Sequence, residues 1–325
     1  MRSRIRSRIA DVLVAAMLAG CWQGAAAEYP DRPLRVIVPF APGGNVDLTA
    51  RAIVPGMSEL LGRNIIVDNR GGAGGAVGSE IVATSPADGY TLLFSSTGSL
   101  TIAPVVSTNL RYDPVKDFEA INLVSNVPVV MLVPASSQAK TVKDFIAFAK
   151  SRGELTMGSS GKFSTGRLTG ELFQSVTGTR FTHIPYKGAS LAMLDLMGGR
   201  IDVMFDQISS ALGHVRGGKV RVLGVNATSR SPELPDVPTM KEAGVSGVEA
   251  GTFTAMLAPA KTPKAIITRL NIDMNKVMKT PSVQQNFAKY SAEVIGTTPA
   301  ASQAFIKAEI EKWRKVVRAA NIKDE

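Results

Sequence analysis

Apolar residues come in short runs of five to seven between segments of helical periodicity, and that alternation sets the first expectation. "LRVIVP" (34–39), "NIIVDN" (64–69) and "YTLLFSS" (90–96) read as buried strands. Between them, glycine-rich turns lead into amphipathic stretches at 46–61 and 76–84, the first carrying Pro55, which should kink or split it. After Asp117 the pattern restarts: strands at 128–134, 155–160, 179–186, 201–207 and 220–226 alternate with helical stretches at 141–151, after Ser164, and at 189–197. "RSPELPDVP" (230–238) is a crossover loop, "GTFTAMLAP" (251–259) a further strand, and "AFIKAEIEKWRKVVRAANI" (304–322) an amphipathic helix. Strands alternating with helices predict an α/β protein of βαβ units with mostly parallel sheets, in two successive series and hence two domains.

The first 27 residues differ from the rest. Four arginines precede a short apolar run, and Ala25, Ala26 and Ala27 then offer small-residue cleavage positions before Glu28. This is the pattern of an export signal, too short to persist as a membrane-spanning helix. The only cysteine, Cys21, lies in "LAGC", a lipoprotein-like box, so two processing outcomes are open: a cut after Ala27, which is favoured, or a lipid anchor at Cys21. Neither leaves a disulfide framework.

With 325 residues, 45% hydrophobic and 20% charged, the chain has the composition of a core-forming globular protein. Removing the four arginines and one aspartate of residues 1–27 lowers the formal charge from +10 to +7. The remaining basic residues are scattered among acids with no aromatic-interleaved stripe, so no nucleic-acid partner is expected, and a modest positive field suits an anionic ligand.

Three loops share one design: strand, small-residue turn, helix start. They are "FAPGGNVD" (40–47), "NRGGAGGAVG" (69–78) and "SSGKFSTG" (159–166). A helix start presents unpaired N–H groups and partial positive charge, and glycine lets a ligand approach the backbone closely. Nucleotide phosphate fits poorly. "GAGGAVG" (72–78) lacks the dinucleotide spacing, and in "GSSGKFS" (158–164) the first glycine lies too near the Gly-Lys pair for a phosphate loop. Catalytic constellations are sparse: there is no G-x-S-x-G elbow, and the two histidines, His183 and His214, lack metal spacing. No cofactor or metal is expected.

Five stretches, "YPDRPLRVIVPFAPGGNVDLTAR" (29–51), "VDNRGGAGGAVGSEIVATSPADGYTLL" (67–93), "YDPVKDF" (112–118), "HIPYKGASLAMLDLMGGRIDVMFDQ" (183–207) and "SPELPDVPTMKEAG" (231–244), together span the chain. Their sequence and order resemble the Bordetella uptake gene receptors, the periplasmic solute-binding proteins of tripartite tricarboxylate transporters. The resemblance implies a two-domain Venus-flytrap binding protein of type II. Residues 28–127 would form the first domain and 128–249 the second, with 250–325 returning to the first. It implies a monomer that captures a small carboxylated solute between the domains and delivers it to membrane permease subunits, without catalysis. Exported enzyme and ligand-presenting sensor are the competing functions.

By the same resemblance, backbone amides at Ala41, Gly43, Gly44 and Asn45, and at Gly72, Ala73, Gly74 and Gly75, hold the carboxylate. Phe40 walls the ligand, and Ser159, Ser160, Ser164 and Thr165 offer hydroxyls from the second domain. Tyr186 and Asp206 close the far end, and Asp206 would suit a ligand amine or hydroxyl. Asp47 is expected to cap its helix, because an acid beside a bound carboxylate would repel it. Two departures from the family pattern stand out, Gly71 and the Lys162-Phe163 pair. Lys162 or Arg167 either meets a second ligand carboxylate or faces outward.

Overall fold

The computed structural model describes residues 29–186, 188–289, 291–319 and 322, so the export signal and Cys21 lie outside the described residues. Two mixed sheets share one long strand. The first runs β2 (Ile65–Asn69), β1 (Leu34–Val38), β3 (Thr91–Ser96), β9 (Gly251–Pro259) and the first half of β4 (Phe118–Pro134), with the short β10 (Glu293–Val294) beside β4. The second runs β6 (Phe181–Pro185), β5 (Leu155–Ser159), β7 (Val203–Gln207), the second half of β4, and β8 (Val220–Val225). Within each sheet three strands are parallel, and the connecting strands β4, β8, β9 and β10 pair antiparallel.

Strand β4 passes from one sheet into the other. Its ladder with β9 ends at Pro128 opposite Gly251, and its ladder with β7 begins one residue later, at Val129 opposite Gln207. The sequence pattern marked only its second half, because Asn122, Ser125 and Asn126 interrupt the apolar run. Two of them are engaged inside: Ser125 bonds Thr254 at 2.8 Å, and the Asn122 side-chain oxygen accepts the Thr297 N–H at 2.9 Å, leaving its Nδ2 without a partner among the described residues.

Buried on both faces, the strands read as continuous apolar runs because helices cover each side. On β1, Leu34, Val36 and Val38 face α1 (Asn45–Leu61) and α8 (Lys264–Met278), while Ile37 faces the opposite layer with Val82 of α2 (Ala76–Ala83). On β4, Val129, Met131 and Val133 face α4 (Val142–Arg152) and α5 (Thr165–Thr177), while Val130 and Leu132 face α6 (Ala189–Met197) and α7 (Ile208–Arg216). Each such side chain contributes about 1.5–3 kcal/mol by burial.

One expectation is corrected. Pro55 does not split its helix, for α1 is continuous from Asn45 to Leu61. Pro55 lies on the exposed face, where water can serve the carbonyl left without a partner. The final helix, α10 (Pro299–Ala319), serves both sheets. Ile306 and Ile310 pack on the first, but Trp313, Val316 and Val317 enter the core of the second.

Candidate functional site

A cavity of about 840 Å³ lies between the two sheets, at the C-terminal ends of β1, β3, β5 and β7. From the first sheet's side come Phe40, Ala41, Gly43, Gly44, Asn45, Ala73 and Gly74, and from the second Ser160, Ser164, Thr165 and Asp206.

The loop after β1 owes its shape to Asp47. Its carboxylate accepts the Gly43 N–H (2.9 Å), the Asn69 amide (2.9 Å) and the Arg51 guanidinium (3.0 Å), and the Asn69 amide also reaches the Phe40 carbonyl at 3.1 Å. Burial opposes ionisation of Asp47, but these donors hold its carboxyl below the usual carboxylate range. Asp47 thus organises the helix start from inside the first turn, whereas the residue in the N-cap position is Gly44. Gly43 lines the cavity, yet its N–H belongs to Asp47 and is not a ligand donor. Asn45 and Val46 open the helix with no intrahelical acceptor for their N–H groups, and the Asn45 side-chain amide is buried with no partner among the described residues.

After β2, the chain runs through left-handed backbone at Gly72 (φ 141°), Ala73 (46°), Gly74 (65°) and Gly75 (96°). Ala73 and Gly74 face the cavity; Gly72 and Gly75 are not among its lining residues. The Gly75 N–H closes the turn on the Gly72 carbonyl at 2.9 Å, and Gly75 sits so near the Phe40 ring that an added Cβ would approach it to 3.0 Å.

On the second side, Ser160, Ser164 and Thr165 line the cavity, and Ser159 does not. The fully buried Ser159 hydroxyl bonds His183 Nε2 at 2.7 Å. Burial, reinforced by the positive charge of Arg167, lowers the His183 pKa to about 4, so the ring is neutral. Ser164 caps α5 by accepting the Arg167 N–H at 3.2 Å, and the Thr165 hydroxyl accepts from Thr252 of β9 at 3.1 Å. Gly166 lets α5 touch the sheet: a Cβ there would lie 1.9 Å from the Phe205 carbonyl oxygen. Tyr186 is turned away, donating to Asp195 of α6 at 2.7 Å.

Of the two cations weighed from sequence, Lys162 lines the cavity and Arg167 does not. The Arg167 side chain is buried behind the loop, where it donates to the Lys162 carbonyl at 3.3 Å. Phe163 crosses the cleft, packing on Gly74 and bringing its own carbonyl against Gly98. Asp206, at the end of β7, is buried on the cavity wall. Burial pushes its carboxyl up to about 6, opposed only by the Ser210 hydroxyl (2.5 Å) and the Gln207 N–H.

Sequence reasoning missed the starts of α6 and α7. Gly188, Ala189 and Ser190 at one, and Gln207, Ser209 and Ser210 at the other, complete the wall with Thr252. The available signal was a hydroxyl within the first two or three residues after a turn, as in "GAS" and "QISS". The first turns of α1, α5, α6 and α7 therefore converge on one cavity. Each brings partial positive charge of about half an elementary unit and unpaired N–H groups. Among the described residues there is no cluster of three metal-ligating side chains, and no helix is long and apolar enough to cross a membrane.

Two α/β lobes joined at shared strands around such a cleft define a two-domain periplasmic binding protein of the Venus-flytrap class. The family model described as "Tripartite tricarboxylate transporter family receptor" matches residues 49–322, and the chain belongs to that family. Protein BugT of Bordetella pertussis is 36% identical over 301 residues, 92% of each chain. Two solved Rhodopseudomonas palustris structures share the fold. Rpa4515 with adipate has a TM-score of 0.85 at 34% identity, covering 91% of this chain and 99% of that one. MatC with bound malate has a TM-score of 0.81 at 32% identity, covering 89% and 100%.

Proposed function

We propose that this protein is exported to the periplasm and captures a small carboxylated solute in the interdomain cleft. It would then deliver the solute to the membrane subunits of a tripartite tricarboxylate-type transporter. The observation that carries the reading is the convergence of four helix N-termini and the buried Asn45 amide on one cavity, a donor-rich anion site. The malate and adipate in the two R. palustris structures support the carboxylate class.

In this reading the first lobe comprises residues 28–127 and 250–325, the second 128–249, and the lobes hinge where β4 and β9 part at Pro128 and Gly251. The second half of α10 spans that division, so closure moves it with the second lobe. The carboxylate is held by backbone amides of the first turns of α1 and of the segment after β2. Hydroxyls of Ser160, Ser164, Thr165 and Ser190 hold the rest of the ligand. No bond is made or broken, and the receptor needs no partner copy.

Native mass spectrometry of freshly purified protein identifies a retained ligand, and a thermal-shift panel of aliphatic and aromatic mono-, di- and tricarboxylates ranks the class. At least one carboxylate should raise Tm in a concentration-dependent way and be recovered unchanged. If none shifts Tm at millimolar concentration, the carboxylate reading fails. Chemical turnover of a bound member would favour an enzyme instead.

A further inference from the structure

Asp206 is an anomaly in this cavity. The site is built to attract an anion, yet a carboxyl group forms part of its wall and is almost fully buried. No ion pair to Asp206 is present among the described residues, and the side chain that meets its carboxyl is the Ser210 hydroxyl. Among the described residues, the charged groups on the elements around it are engaged elsewhere. Arg167 of α5 donates to the Lys162 carbonyl and lies beside Glu171; Lys162 sits with its ammonium 5.6 Å from the centre of the Phe163 ring; Asp195 of α6 pairs with Arg200 and Tyr186. His214 and Arg216 lie at the far end of α7, and the strand neighbours across β4, Val130 and Val225, carry no charge.

A second carboxylate entering this space cannot share it comfortably with an ionised Asp206. Two anions a few ångströms apart in a partly desolvated cleft raise the protonation of one of them by about 2 pH units. A protonated carboxyl has what an ionised one lacks, a donor, and that donor points the same way as the helix N–H groups: toward an anion.

We propose that Asp206 takes up a proton when the receptor binds its carboxylate and donates it as a hydrogen bond to the ligand, so that capture is coupled to protonation. The inference rests on the carboxylate-receptor reading above. It makes Asp206 a specificity-determining residue that favours acids over neutral analogues and over ligands carrying an ammonium at that end, which would keep Asp206 ionised. No covalent step is involved: the proton comes from solvent on binding and returns on release.

Calorimetric titration with adipate, malate and benzoate in buffers of differing ionisation enthalpy reads the protons exchanged. Because the free carboxyl titrates at about 6, the binding member should bring close to one proton with it near pH 7. Its affinity should fall about 25-fold between about pH 6 and 8, about fivefold per pH unit. In Asp206→Asn, which keeps a donor at the same place, proton uptake should vanish and the affinity should be flat with pH. Binding by the wild type with no proton uptake overturns the inference and leaves the receptor reading standing, as does undiminished uptake in Asp206→Asn. If none of the three acids binds, the receptor reading falls for this class and takes the inference with it.

Discussion

Phe163 meets Gly74 across the cleft, and a double-mutant cycle tests whether that contact forms on closure. A Cβ placed on Gly74 would lie 2.4 Å from Phe163 Cδ2 and 3.3 Å from Phe163 Cβ. Restoring ordinary contact requires the ring to retreat by about 1 Å, and overpacking of this kind costs about 1–3 kcal/mol. That is about 5- to 150-fold in Kd. Gly74 also has φ 65°, so alanine there carries a backbone cost of about 1–2 kcal/mol. This second cost is the same in the open and closed forms and appears in Tm, not in affinity. Gly74→Ala should therefore weaken carboxylate binding and leave small-angle scattering profiles more open at saturating ligand. Phe163→Ala alone loses the cross-cleft contact, but in its background Gly74→Ala should cost little further affinity. Calorimetric Kd values for the four proteins give the coupling. Agreement with simple additivity to within about 0.5 kcal/mol would refute the claim that this contact forms on closure.

Two further outcomes concern stability. His183 is held at about 4, against an ordinary 6.5, by burial and by Arg167, so the unfolded chain binds a proton that the folded one refuses. Its contribution is complete above about pH 6.5 and is lost as pH falls toward 4, amounting to at most about 3 kcal/mol and less after solvent screening. Urea unfolding of the wild type and His183→Gln at several pH values should show a shallower acid loss in the variant; equal slopes would contradict the assignment. Trp313 is fully buried in the second lobe's core, with its Nε1 unpartnered among the described residues. Trp313→Ala should cost about 3–5 kcal/mol, whereas Trp313→Phe, which removes the stranded donor along with some volume, should cost far less; equal losses in chemical denaturation would show that packing there is loose.

Much of this molecule is written locally. The runs at Leu34–Val38 and Thr91–Ser96 are strands because apolar residues covered on both faces suit a buried parallel sheet, and the glycines after β2 are needed for left-handed backbone. The strand-loop-helix repeats thus announced two α/β units and three anion-suited loops, and the order of the motifs announced the family. What a loop does with its N–H groups was not legible, because hydrogen-bond partners are chosen in space. Gly43 serves Asp47, and Ser159 serves His183, 24 residues away. Nor could spacing along the chain show that β4 would run through both sheets, that α10 would reach into the second core, or that α6 and α7 would aim their first turns at the cavity that α1 and α5 share. Local sequence determines which backbone each segment prefers; packing of the lobes decides which ends of those segments meet. Asp206 shows the difference most clearly. In the sequence it is one acid at a strand end, and only tertiary burial on the cavity wall, with no ion pair among the described residues, pushes its carboxyl up to about 6.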